Sequence, residues 1–200
     1  MFKSSSIKVA GLLLLALATS GCATMYVDNG LKTVSKSEFM APPEPHPVQL
    51  LFTFQTKGAA NARATKQLSE QVTKTVMDSG LFSSVSTEPV AGGAMLSVRI
   101  NNVPVTEDAF SKGFATGLTF GLAGNQVTDG YVCTVNYQSV AGGPMLETKV
   151  RHAIHTTIGA KKAPDNGVKA KSILEAVNTM TTQIVGNGLK DLSNDPRFLQ

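Results

Sequence analysis

Among the side chains in this 200-residue sequence that could make or break bonds are two cysteines, three histidines and a thin scatter of acids. Their spacing argues against most such chemistry. His152 and His155 are three apart in a stretch of strand-like alternation. A period of two sends them to opposite faces, whereas a chelating pair needs one face. His152 then falls among Val150, Ile154 and Ile158 and reads as a satisfied histidine at the edge of the core. His46 stands between Pro45 and Pro47 and reads as a solvated linker residue. Glu107 and Asp108 are the one adjacent acidic pair. No Gly-x-Ser-x-Gly elbow, His-Glu-x-x-His, Cys-x-x-Cys, phosphate loop or dinucleotide fingerprint is present. The expectation is no metal, no cofactor and no catalytic residue, with an envelope hydrolase assembled from distant side chains as the residual alternative.

The two cysteines have different prospects. Cys133 lies on the face of a strand-like stretch that also carries Tyr131, Val135 and Tyr137, with no nearby base to lower its pKa, so it is expected to pack as a small hydrophobe. Cys22 follows a leader. Met1 to Lys8 holds two lysines and no acid, and Val9 to Ala18 is a ten-residue apolar run. That run is short of the ~20 residues that cross a bilayer as a helix but suits a signal-peptide core. Thr19, Ser20 and Gly21 complete it.

This order resembles the lipobox of bacterial lipoproteins, with Thr19 where that family usually has Leu. The resemblance implies that residues 1–21 are removed and that the Cys22 thiol receives a diacylglycerol before cleavage. The new amino terminus is then acylated, for instance by palmitate. Three chains exceed the two signals needed for stable anchoring. Ala23, rather than Asp, after the cysteine implies the periplasmic face of the outer membrane over the inner membrane. A plain secretory signal cleaved near Gly21, with Cys22 incidental, is the other reading of the same residues. If Cys22 is acylated, Cys133 has no disulfide partner.

Two further groups of residues could bind rather than react. In residues 110–124, Gly113, Gly117 and Gly121 recur every four residues, with Phe114, Leu118, Phe120 and Leu122 between them. As a helix this segment would offer a glycine groove to a membrane or to a barrel or transporter partner; as a loop it would fold over the domain's own core. Arg99, Lys149 and Arg151 fall on the polar side of their strands beside Gln49, Asn101, Asn136 and Glu147, so the face is either an anionic-lipid site or simply solvated.

The elements that position these residues follow from periodicity. Residues 22–47 contain Pro42, Pro43, Pro45 and Pro47 and read as a lipidated cysteine and a tether, spanning about 28 Å if flexible. From residue 48 to 200 a single domain is expected. Val48 to Thr56 alternates; Ala64, Leu68, Val72 and Val76 then make one helical stripe between Ala60 and Ser79, closed by Gly80. Met95 to Val103 alternates again. Strands over 128–139 and 145–158 flank Gly142-Gly143, and Ala170 to Leu189 returns to helical spacing with a seam of Ile173, Val177, Met180 and Ile184, loosened at its end by Gly186 and Gly188. The predicted fold is α+β: a two-layer sandwich of about four mainly antiparallel strands in the order β-α-β-β-β-α, with both helices on one face.

With 42% apolar and 16% charged residues, the chain suits one core. The net charge is +4, and discounting Lys3 and Lys8 leaves sixteen basic against fourteen acidic residues. That balance is too even for a nucleic-acid binder. In layout, the leader, the proline-bearing tether and a helix ending in Asp78-Ser79-Gly80-Leu81-Phe82 before the next strand, the chain resembles two groups of small bacterial lipoproteins. One plugs the lipopolysaccharide-assembly barrel; the other comprises auxiliary lipoproteins of ABC-type lipid or solvent export systems. The resemblance implies a non-enzymatic, lipid-anchored accessory of the Gram-negative envelope, which docks on a membrane-protein partner or handles an anionic lipid. A self-associating structural lipoprotein is the alternative.

Overall fold

The computed structural model describes residues 23–105, 126–140, 142–159 and 163–199. The leader, Cys22 and the whole of the glycine-rich stretch 110–124 lie outside the described residues. The elements run β1 (Ala23–Asp28), β2 (Pro47–Thr56), β3 (Ala59–Ala60), α1 (Ala62–Ser79), β4 (Ser84–Ser86), β5 (Met95–Pro104), β6 (Gln126–Gln138), β7 (Met145–Ile158), β8 (Gly167–Lys169) and α2 (Ile173–Ser193).

All eight strands join one sheet, ordered β3-β2-β5-β6-β7-β1-β8, with β4 beside β2. The four predicted strands form its centre, β2, β5, β6 and β7, and the expectation of about four strands is corrected to eight. Three of the additional strands are only two or three residues long, too short to show a period. The pairing of β2 with both β5 and β4 is parallel, and the other pairs are antiparallel.

The fourth additional strand changes the architecture. Ala23–Asp28, expected in the tether, pairs with β7 and β8, and Tyr26, Val27 and Asp28 are buried. Residues 29–46 then cross the domain in contact with α2 and β6. The Asn187 side-chain amide donates to the Lys32 carbonyl at 2.9 Å, the Met40 N–H to Ser193 Oγ at 3.2 Å, and Lys190 meets Glu38 at 2.8 Å. The prolines that suggested a tether sit in a docked strap.

Each helix forms for a readable local reason. In α1, Leu68, Val72 and Val76 are buried at i, i+4 spacing. Asn61 Oδ1 caps it by accepting from the Ala64 N–H at 3.0 Å, and Gly80, at φ 71°, turns the chain left-handed so that Leu81 and Phe82 fold back into the core. In α2, Ser172 Oγ accepts from the Glu175 N–H at 3.1 Å while the Glu175 carboxylate accepts from the Lys171 N–H at 2.6 Å. The predicted α2 seam is shifted. Met180 and Ile184 are buried as expected, but Ala176, Leu189 and Leu192 complete the seam and Ile173 is 65% exposed. Gly188 does not loosen the helix end. It lets α2 approach the sheet so closely that a Cβ there would lie 2.8 Å from Val135 Cγ2.

Both helices cover the same sheet face, joined by a 2.8 Å hydrogen bond from Gln71 Nε2 to Thr182 Oγ1. The core between them and the sheet contains Leu50, Leu96, Val98, Ile100, Cys133, Val135 and Val150. The second face is not uniformly open. Arg99, Lys149 and Arg151 are exposed on it, whereas Ala153, His155 and Thr157, further along β7, are buried, so the expected simple two-layer sandwich does not describe the molecule.

Candidate functional site

Register places two of the three predicted cationic side chains in one row. Arg99 pairs with Thr134 across β5 and β6, and Thr134 with Lys149 across β6 and β7. Two strand spacings of about 4.8 Å therefore separate the Arg99 and Lys149 backbones. Arg151 stands one pleat further along β7, opposite Val132. Lys149 is held by Glu147 at 2.7 Å with both partners about half exposed. The structure thus brings Arg99, Lys149 and Arg151 onto one exposed face with an acid among them. Cys22, Gly113, Phe114, Gly117, Leu118, Phe120 and Gly121 lie outside the described residues.

The histidines divide as the strand period requires. His152 faces α2 and is fully buried. Its Nδ1 accepts the Ala153 N–H at 2.9 Å, so Nε2 carries the proton and donates to Gln183 Oε1 at 2.7 Å. Burial lowers its pKa, against the opposing pull of the Gln183 hydrogen bond. His155 faces the other way. Its Nδ1 lies 3.0 Å from Thr128 Oγ1 and its Nε2 lies 3.3 Å from Asp28 Oδ2. Asp28 also accepts from the Gly30 N–H at 2.7 Å and from Asn166 Nδ2 at 3.3 Å.

A hydroxyl, an imidazole and a carboxylate in sequence have the composition of a nucleophile with its base and orienter. The set joins β1 to β7 and β6, and in this structure Asp28 is 1% and His155 0% exposed. Sequence reasoning missed this set because Asp28 stood in a stretch read as coil. Among the described residues, no group of three or more His, Cys, Asp or Glu side chains gathers as a metal site.

A second feature missed in the sequence is a groove of about 540 Å³ at the end of the sheet where β6 finishes. Its walls include Pro43, Glu44, His46, Tyr137, Arg197 and Phe198. His46, expected to be solvated, is docked, with the Tyr137 hydroxyl 2.6 Å from its Nε2. Behind it an aromatic cluster closes the core: Tyr137 and Phe198 have ring centroids 5.0 Å apart, and Phe82 lies 5.8 Å from Tyr137. Burial pushes the Tyr137 phenol up to about 12, so it stays neutral. Arg197 at the rim is neutralised by Asp195, which accepts from Nε at 2.9 Å and from Nη2 at 2.5 Å. The groove has the size of a small-ligand site; its arginine is neutralised by Asp195, while Glu44 has no ion pair among the described residues. Nothing in the proline-rich sequence signalled that it would line a pocket.

No protein-family model matches the chain, and no curated protein matches it. Among solved structures it is similar to the rare lipoprotein B from Shewanella oneidensis at 10% identity and a TM-score of 0.40, over 74% of this chain and 93% of that one. It is also similar to the PelC dodecamer from Paraburkholderia phytofirmans at 13% identity and a TM-score of 0.36, over 84% of this chain and 96% of that one. Likenesses this distant assign neither a family nor an activity.

Proposed function

We propose that this protein is a lipid-anchored, non-enzymatic accessory of the Gram-negative envelope, held by acylated Cys22 at the periplasmic face of the outer membrane. The observation that carries this reading is the leader ending in Thr19-Ser20-Gly21-Cys22, directly ahead of the first strand. The closed Asp28–His155–Thr128 set supports a role without catalysis, since its imidazole is 0% exposed. Work is done by contact. The segment with Gly113, Phe114, Gly117, Leu118, Phe120 and Gly121 docks on a membrane-protein partner, a barrel or transporter component. Arg99, Lys149 and Arg151 supply donors for an anionic lipid headgroup.

Mass spectrometry of the mature amino terminus tests the anchor. The expected result is a triacylated cysteine, and Cys22→Ser should leave the chain unprocessed or release it from the outer-membrane fraction. An unmodified thiol defeats the reading. Crosslinking in intact cells followed by purification tests the contact role: a barrel or transporter component should be captured, and Gly117→Leu with Gly121→Leu should abolish that capture. Recovery of only this chain would point to self-association instead.

A further inference from the structure

β1 starts at Ala23, so one residue joins the proposed lipid attachment at Cys22 to a strand of the folded sheet. One residue reaches at most about 3.6 Å, against the ~28 Å of a free tether of 25 residues. The domain therefore has no slack with which to stand off the leaflet, and the end of the sheet around Ala23 must meet it.

That end has the surface such a contact requires. Ala23 pairs with Ile158, the last residue of β7. β8 runs antiparallel to β1, and the Ala170 N–H donates to the Met25 carbonyl at 2.9 Å, which brings Lys171 and the first turn of α2 back to the same end. β6 also begins there, with Val127 opposite Thr156. Val127, Ile158, Ile173 and Leu174 are each half exposed or more, four large aliphatic side chains turned to water at one end of the molecule. Lys171 is exposed among them. The acid in the first turn, Glu175, is occupied in capping the Lys171 N–H.

Resting on the acyl-anchor reading, we propose that Val127, Ile158, Ile173, Leu174 and Lys171 form a lipid-contact face that seats the domain on an anionic leaflet in one orientation. The aliphatic side chains enter the headgroup boundary and the lysine meets phosphate. The acyl chains hold the protein in place, so even a weak surface contact is made at high effective concentration and serves to orient. The β6 strand of thirteen residues then stands the aromatic groove at Tyr137 roughly 35 Å from the leaflet. Lys149 lies nine residues up β7 from Ile158, about 30 Å away. The row of Arg99 and Lys149 thus addresses a partner or an extracted lipid, not the headgroups of the anchoring leaflet.

Nitroxide labels on Ile173→Cys and, separately, Val140→Cys in the full-length acylated protein test this. Both positions are exposed, and Cys133 is buried away from the reagent. In vesicles of phosphatidylethanolamine and phosphatidylglycerol, oxygen should gain on a water-soluble nickel relaxant by several-fold at Ile173→Cys and stay unchanged at Val140→Cys. Equal aqueous exposure at both positions on a protein whose acylation is verified by mass overturns the orientation alone. An unacylated amino terminus overturns both readings. Protection of Ile173→Cys in the vesicle-free Cys22→Ser protein that grows with concentration marks a contact between copies and also overturns the proposal.

Discussion

The Tyr137 hydroxyl lies 2.6 Å from Nε2 of His46, joining the end of β6 to a strap ninety-one residues earlier in the chain. The contact locks the proline-bearing segment onto the aromatic cluster of Phe82, Tyr137 and Phe198. Tyr137→Phe keeps the ring packing and removes the hydroxyl. It should cost about 1 kcal/mol in denaturant unfolding. In a double-mutant cycle with His46→Ala, the two losses should be non-additive; strict additivity would show that the strap is not held by this bond.

His152 predicts a pH dependence. Burial lowers its pKa below 6.5, so the unfolded chain binds a proton that the folded chain resists. Its contribution to stability is full above about pH 6.5 and falls as pH drops from there towards the folded-state value. His152→Gln should flatten that part of the stability curve. Gln183→Leu strands the Nε2–H and should destabilise by about 1–3 kcal/mol, and nitrogen NMR should report the Nε2–H tautomer.

The Cys133 thiol is 0% exposed, and burial pushes its pKa up to about 12. In the Cys22→Ser protein it should resist a disulfide reagent under native conditions and react at the rate of global unfolding. Rapid labelling at pH 8 would mean that β6 is not packed as described.

Close approach of α2 to the sheet depends on Gly188. A methyl group there meets Val135 Cγ2 at 2.8 Å, so Gly188→Ala should lower stability by about 1–3 kcal/mol. Combining it with Val135→Ala should recover part of that loss. No loss in the single variant would place the helix further from β6.

Charge reversal tests the exposed row on the second face. Arg99→Glu with Lys149→Glu leaves the core untouched, since both side chains point outward. Under the proposed lipid-binding role, anionic-lipid capture should fall at least about tenfold, as expected when two charge-assisted contacts become repulsive, with the melting temperature unchanged. Unaltered capture would leave this face as solvated surface.

Periodicity made the long elements legible. The alternation of Leu96, Val98 and Ile100 and the four-residue stripe of Leu68, Val72 and Val76 each predicted the buried face found in the structure, because one-sided burial of a regular element writes its period into the chain. The opposite faces of His152 and His155, and the burial of Cys133, followed from the same rule. Ile173 misled, since an apolar residue in phase with a helical seam can also cap an open end.

The strands β1, β3, β4 and β8 were not legible, and neither was the Asp28–His155–Thr128 set that β1 helps to build or the contact of His46 with Tyr137. The short strands have no period of their own and exist because a neighbouring edge offers unpaired N–H and C=O groups. Asp28 is buried only because β7 and Asn166 close around it. His46 is docked only because Tyr137, far along the chain, reaches its ring. The sequence by itself determined the two amphipathic helices and the central strands, since each is encoded in contiguous residues. Where the chain after Cys22 goes, into a strand beside β7 and a strap across α2, was decided by long-range pairing alone: hydrogen bonds between distant segments carry no local signature.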